Sequence, residues 1–175
     1  MKLGTVVLVL LGMVGLASAQ KESFKVVNKK AAPAASGDVT RAEAAQVMAK
    51  LRRACREVLG VSVSPKPTIA AGKAVVSRKE ILEEFATIHR AAAASFKLSP
   101  QPVSFDPKRF TVQSPALTSL VKGGFVAKVG PLAAGKRPGV SPTELGDAIG
   151  FFVARIAEVS HLPSSRWTPY LADER

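Results

Sequence analysis

Three stretches of the chain share one pattern of apolar and polar positions. Each has a valine, then a hydroxyl residue, then a glutamate three residues after the hydroxyl. In a capping box, a hydroxyl at the helix N-cap and a glutamate three residues later each accept a hydrogen bond from the other's backbone N–H. The pattern predicts three helix starts: Val39-Thr40-Arg41-Ala42-Glu43, Val76-Ser77-Arg78-Lys79-Glu80 and Val140-Ser141-Pro142-Thr143-Glu144.

Apolar residues follow each start at spacings of three and four, which place them on one face of a helix. We expect helices over about 41–59, 78–95 and 142–159, with Gly60 ending the first. Self-similar segments of this kind indicate repeated units that share one core. The positions expected to be buried in register are Ala44, Ile81 and Leu145; Met48, Phe85 and Ile149; and Leu51, Ile88 and Phe152.

The segments between these helices contain prolines and glycines, which disfavour long helices. Residues 97–113 alternate in places and predict an extended arm with two short strands, on which Phe96, Phe105 and Phe110 are buried. Ser114-Pro115 predicts a short further helix that ends at Gly123-Gly124. The tail contains Trp167 and Tyr170, so we expect it to dock on the domain.

The two ends of the chain differ in composition from its centre. Residues 1–19 have a basic start, an apolar run and a small-residue cleavage site before Gln20, which is typical of a secretory signal peptide. Residues 20–38 predict a flexible linker, residues 39–171 the helical domain, and residues 172–175 a tail. An exported protein of the periplasm or cell surface is expected, with no transmembrane segment after cleavage.

The charge of the chain narrows the classes of partner. A formal charge of +12 favours anionic partners, namely nucleic acid, envelope polymer or lipid headgroups. Export and the scarcity of aromatic residues for base stacking argue against nucleic acid. The first helix has a basic stripe, which is either a solvated face or an anion-binding surface: Arg41, Lys50, Arg52, Arg53 and Arg56.

Candidate catalytic and metal-binding residues are few. The capping glutamates are occupied, and Glu83 with Glu84 is expected to be a solvated pair. With only His89, His161 and one cysteine, the sequence predicts neither a metal site nor a cofactor. Cys55 lies on the apolar face of its helix, although an intermolecular bridge, and hence an oligomer, is an alternative. We expect a protein that is not an enzyme.

The phrase Thr40-Arg41-Ala42-Glu43-Ala44-Ala45 resembles the signature of S-layer homology domains, extracytoplasmic modules of three helical repeats that hold bacterial proteins to cell-wall polymer. Residues 116–126 resemble the first helix of a repeat and its glycine stop, and Arg166-Trp167 resembles the aromatic opening of a further one. The resemblance implies a mainly α domain of three capped units around one core, with extended connecting arms.

The resemblance also implies a ligand. In that family the arginine of the signature is implicated in holding an anionic, pyruvylated glycan, which implies roles for Arg41 and Arg78 and a contact for Trp167. An arginine fork suits a carboxylate. Pro142 replaces the arginine in the third unit. Two hypotheses follow: a module that binds anionic wall polymer, or a structural or protein-interaction module of the envelope that lacks glycan binding.

Overall fold

The computed structural model describes residues 37–106, 108, 110 and 114–172. The expected signal peptide, most of the linker and residues 173–175 lie outside the described residues. The described chain is mainly α, as the sequence predicts. Its α-helices are α1 (Arg41–Leu59), α2 (Arg78–Ala92), α3 (Pro115–Lys122), α4 (Pro131–Ala134), α5 (Pro142–Val159) and α6 (Thr168–Leu171). Two 3-10 turns, Ala93–Ser95 and Ser164–Arg166, accompany them.

The three long helices begin where the hydroxyl–glutamate pattern places them. The hydroxyls of Thr40, Ser77 and Ser141 each accept the backbone N–H of the glutamate three residues later, and each glutamate accepts the N–H of its cap. Gly60 ends α1 with a φ of 66°, a left-handed conformation that glycine adopts without steric cost. The ends of α1 and the start of each long helix are therefore set by local signals.

One core joins the long helices. The nine positions expected in register on α1, α2 and α5 are all buried. The rings of Phe85 on α2 and Phe152 on α5 stack with centroids 4.4 Å apart, and Phe125 packs edge-on to Phe152 at 6.3 Å. Burying one such ring contributes roughly 1.5–3 kcal/mol.

The arm after α2 differs from its prediction over residues 97–106, whereas residues 111–113, which contain most of the second expected strand, lie outside the described residues. The described part of residues 97–113 contains no strand, and the only bridge in the described chain is between Thr40 and Val75. The arm is instead anchored by the backbone N–H groups of Lys97 and Leu98, which both donate to the carbonyl of Val159. The alternation of three residues is too short to specify strand pairing without a partner strand.

Two short helices were missed by the sequence analysis. Helix α4 lies in one of the segments whose prolines and glycines disfavour long helices, and it follows Gly130, with Pro131 at its first position. Helix α6 packs against α1 and draws the tail onto the domain, as the aromatic residues predict. Single turns such as these have too few residues for a periodic pattern. No helix among the described residues is long and apolar enough to cross a membrane.

Candidate functional site at the helix starts

The starts of the three long helices lie together. The N–H of Val39 donates to the carbonyl of Val140 (2.8 Å), and the N–H of Val76 donates to the carbonyl of Val39 (2.9 Å). All three valines, each one residue before a cap, are buried. The backbone thus brings the three capping boxes into one helix-start cluster, which we define as residues 38–43, 76–80 and 137–144.

Carbonyl groups from neighbouring segments occupy several amides of this cluster. The N–H of Arg41 donates to Ala74 (2.8 Å), and the N–H of Ala42 donates to Gly72 (3.0 Å). The N–H of Arg78 donates to Pro138 (3.1 Å). Free amides at a helix N-terminus attract anions. Because these amides already have partners within the chain, they are closed to an external anion.

Arg41 lies at the surface of the cluster. Its Nε is 2.9 Å from Oε1 of Glu80, the capping glutamate of α2, and its side chain is 42% exposed. The ion pair links the first helix start to the second. The Nε that makes this contact is itself buried, although the side chain as a whole is partly exposed.

Arg78 has the equivalent place on α2 but is only 1% exposed. Its Nε donates to the carbonyl of Arg137 (2.5 Å), one terminal nitrogen donates to the carbonyl of Pro131, and the other lies 3.5 Å from Glu144. The expectation that Arg78 offers its fork to a ligand does not match this arrangement. A side chain at Gly135 would overlap the Arg78 guanidinium, so glycine there leaves the room for it.

The third unit joins the cluster differently, because Pro142 has no charged side chain. Arg137, from the loop before α5, lies 3.1 Å from Asp38 and 3.2 Å from Glu144. Gly139 allows Asp38 to approach, since a Cβ there would lie 2.6 Å from the Asp38 carboxylate. Arginine–carboxylate contacts therefore connect all three helix starts. In the third unit the arginine is Arg137 from the preceding loop, because the residue after the cap is Pro142.

The capping carboxylates are held in their charged form. Hydrogen bonds from the backbone and hydroxyl of Thr40 lower the pKa of Glu43. Burial raises the pKa of Glu80, but hydrogen bonds from Ser77 and the Arg41 charge outweigh it, so the pKa lies below its ordinary value. Glu144 follows the same balance, with Ser141, Arg78 and Arg137 outweighing burial. Capping hydrogen bonds and ion pairs thus both keep the pKa values of Glu80 and Glu144 low.

Trp167 is a core residue. It is 1% exposed and belongs to the same apolar cluster as the long helices. Its indole N–H has no acceptor among the described residues. The expected role of Trp167 as a surface contact for a glycan does not match this placement, since the ring is covered by the domain.

A second polar cluster lies inside the domain and was missed by the sequence analysis. Arg52 on α1 pairs with Glu84 on α2, and both are almost fully buried. Glu84 also accepts hydrogen bonds from the backbone and hydroxyl of Thr68, and Arg52 donates to the carbonyl of Ser64 (2.9 Å). Glu84 was expected in a solvated pair, and Arg52 on a basic stripe that was either solvated or anion-binding. Arg52 follows Met48 by four residues, and Glu84 lies three residues after Ile81 and four before Ile88. These helical spacings place both side chains beside the apolar faces, so the sequence contained a signal for their burial.

The histidines and acidic residues of the described part of the chain do not form a metal-binding group. No group of three histidine, cysteine, aspartate or glutamate side chains lies close enough to hold a metal ion in the described part. His89 is half-buried, with its ring 4.2 Å from the Phe125 centroid and 5.5 Å from that of Phe96. Burial lowers the pKa of His89, which favours the neutral ring.

Comparison with known proteins adds no functional information. No protein-family model matches the chain, and neither a curated protein nor a solved structure does. The geometry of the helix-start cluster and the sequence patterns therefore carry the functional argument on their own.

Proposed function

We propose that the chain is an exported, non-catalytic module of the cell envelope that acts as a structural or protein-interaction domain. Its arginine-containing phrases hold the three helix starts together. The observation that carries this proposal is the burial of Arg78 against the carbonyls of Pro131 and Arg137 and against Glu144. A guanidinium used in this way cannot also receive a carboxylate of a glycan without unfolding the loop around it.

The occupied amides support the same proposal. An anion at the start of α1 would have to displace the carbonyls of Gly72 and Ala74. Each displaced carbonyl would lose its partner within the chain, which opposes the exchange. The residues that resemble a ligand-binding signature thus serve the fold of this domain.

Binding of an anionic wall polymer, with an S-layer-homology-like mode of attachment, is the second candidate function. It is favoured by the side chain of Arg41, which is 42% exposed although its Nε pairs with Glu80. Only one arginine of the two predicted ones is open to such a ligand. The second candidate therefore needs Arg41 to act with other basic surface residues.

A sedimentation experiment separates the two functions. Mature protein (residues 20–175) is mixed with purified, pyruvylated wall polymer, and the bound fraction is measured against polymer concentration at physiological salt. We expect only weak retention that Arg41→Ala does not change, because the large excess of basic over acidic residues gives salt-dependent, unsaturable binding. Saturable retention that Arg41→Ala abolishes would instead establish the second candidate. Lys79→Ala, which removes another exposed positive charge of the cluster, is the matched control.

Export is tested separately. Protein recovered from fractionated cells is analysed by mass spectrometry of its N-terminus. We expect a processed chain that starts at Gln20 and sediments with the envelope fraction. Recovery of the intact N-terminus in the cytosol would contradict the proposal of an envelope module, whatever the result with wall polymer.

A further inference from the structure

A pocket of about 330 Å³ opens on the side of the domain where α4 meets α5. Residues of the loop after α3 and the start of α4 form one wall, and α5 forms the other. The lining residues are Val126, Ala127, Gly130, Pro131, Leu132, Asp147, Ala148 and Phe151. This pocket is distinct from the helix-start cluster in its lining, although Pro131 belongs to the pocket wall and also accepts the Arg78 hydrogen bond.

The lining is apolar apart from one carboxylate. Ligand pockets of small molecules are typically concave, mostly apolar and supplied with a few polar groups that orient the ligand. Phe151 is only partly buried, and Val129, which directly precedes the lining residue Gly130 in the chain, is 83% exposed. Apolar side chains are therefore accessible both in the lining and next to it in the sequence.

The volume and the carboxylate restrict the occupant. A cavity of about 150 Å³ is sufficient for benzene. The pocket is about twice as large, which suits one ring with a short side arm. Asp147 supplies a negative charge and hydrogen-bond acceptors in the lining, so an ammonium group complements it and a carboxylate opposes it. Asp147 already has an interaction within the chain, which an ammonium group would join or replace.

We propose that this pocket is a binding site for a small apolar amine, with the ring against Ala148 and Phe151 and the ammonium group at Asp147. The proposal does not rest on the envelope function. It assigns to the domain a small-molecule site that the helix-start cluster does not provide.

Three probes of one shape test the proposal: 2-phenylethylamine, 2-phenylethanol and 3-phenylpropanoate. Their binding to the whole mature chain is followed by chemical shifts of the Ala127 and Ala148 methyl groups. We expect saturable binding in the order amine, alcohol, acid, with the amine bound about two- to fivefold more tightly than the alcohol, the size of one partly solvated ion pair. Binding of the acid as tight as that of the amine, or no saturable binding of any probe, overturns the proposal.

Variants separate the two parts of the site. Asp147→Asn should remove the preference for the amine and leave the alcohol unchanged. Ala127→Trp should block all three probes, whereas Ala94→Trp, at an exposed position outside the lining, should block none. If Ala127→Trp lowers the unfolding midpoint, Phe151→Ala replaces it and should weaken all three probes alike. If Ala127→Trp or Phe151→Ala keeps its fold and still binds the probes as tightly as the unaltered protein, the probes do not bind in this pocket.

Discussion

Arg41 and Arg78 occupy the same place in two similar phrases, directly after the capping residue, yet their surroundings differ. The Arg41 side chain is 42% exposed and has one ion pair to Glu80, whereas that of Arg78 is 1% exposed and contacts two carbonyls and Glu144. The difference in exposure comes from the segment that faces each side chain. Gly135 leaves room for the Arg78 guanidinium, and the loop that contains it covers the side chain.

The arginine after the N-cap therefore has a different structural role in each of the two units. A surface ion pair contributes little to stability because water competes for both charges. A buried arginine with several partners is costly to disturb, because removing it leaves those partners without hydrogen bonds. The same residue type is thus an exposed, replaceable group in one unit and a structural element in the next.

The largest expected effect is the difference between the two alanine variants. Arg78→Ala should lower the free energy of unfolding by about 2–5 kcal/mol, because it removes a buried side chain and leaves the carbonyls of Pro131 and Arg137 without their donor. Arg41→Ala should lower it by at most about 1 kcal/mol. Urea denaturation followed by circular dichroism measures both. Equal losses of unfolding free energy in the two variants would show that the buried and the exposed arginine are equally important for stability, contrary to our expectation.

Gly135→Ala should cost about 1–3 kcal/mol, because the added methyl group overlaps the Arg78 guanidinium and forces it to move. Gly72→Ala is the control, since nothing lies within 4 Å of a Cβ there. In an Arg78→Ala background the cost of Gly135→Ala should fall, as measured by a double-mutant cycle, but part of it should remain because the added methyl group would also overlap the carbonyl oxygen of Pro131. An unchanged cost in that background would show that the Arg78 guanidinium is not what requires glycine at this position.

Thr40→Ala should cost about 1 kcal/mol through loss of the N-cap hydrogen bond to Glu43. Ser141→Ala should cost a similar amount, because the three capping boxes share one geometry. Thermal unfolding monitored by calorimetry measures both. A neutral result for either variant would mean that its helix start is fixed by the cluster rather than by its cap.

The smallest effect concerns pH. The pKa values of Glu80 and Glu144 lie below their ordinary value of 4.5 in the folded chain. Their contribution to stability is therefore complete above that value and is lost as the pH falls through the folded-state pKa. Arg78→Ala should reduce the stability that is lost on acidification through Glu144. Arg41→Ala should likewise reduce the stability that is lost through Glu80. Urea midpoints measured between neutral and acid pH test this, and identical pH profiles for all three proteins would contradict it.

The helices of the fold are predictable from the sequence because their signals are local. A cap, its glutamate and the apolar residues of the following turns lie within one short segment, and α1 and α5 have the predicted bounds. Helix α2 ends at Ala92 rather than about Ser95, since its last turn tightens into a 3-10 turn.

The candidate site is less predictable because its contacts are distant along the chain. Arg78 reaches carbonyls 53 and 59 residues away, and Arg52 pairs with a glutamate 32 residues away. A sequence pattern identifies these side chains as charged and places them on a helix, but it does not show which loop covers them. Burial of Arg78 and Trp167 depends on that covering.

The buried thiol of Cys55 is a natural probe of transient exposure of the core. The side chain is inaccessible in the core, and burial raises the pKa of its thiol to about 12, so hardly any reactive thiolate exists at neutral pH while the domain is closed. Since it is the single cysteine of the sequence, modification by a thiol reagent requires α1 to separate from its neighbours. The labelling rate of the unaltered protein therefore measures how often the core is exposed in solution.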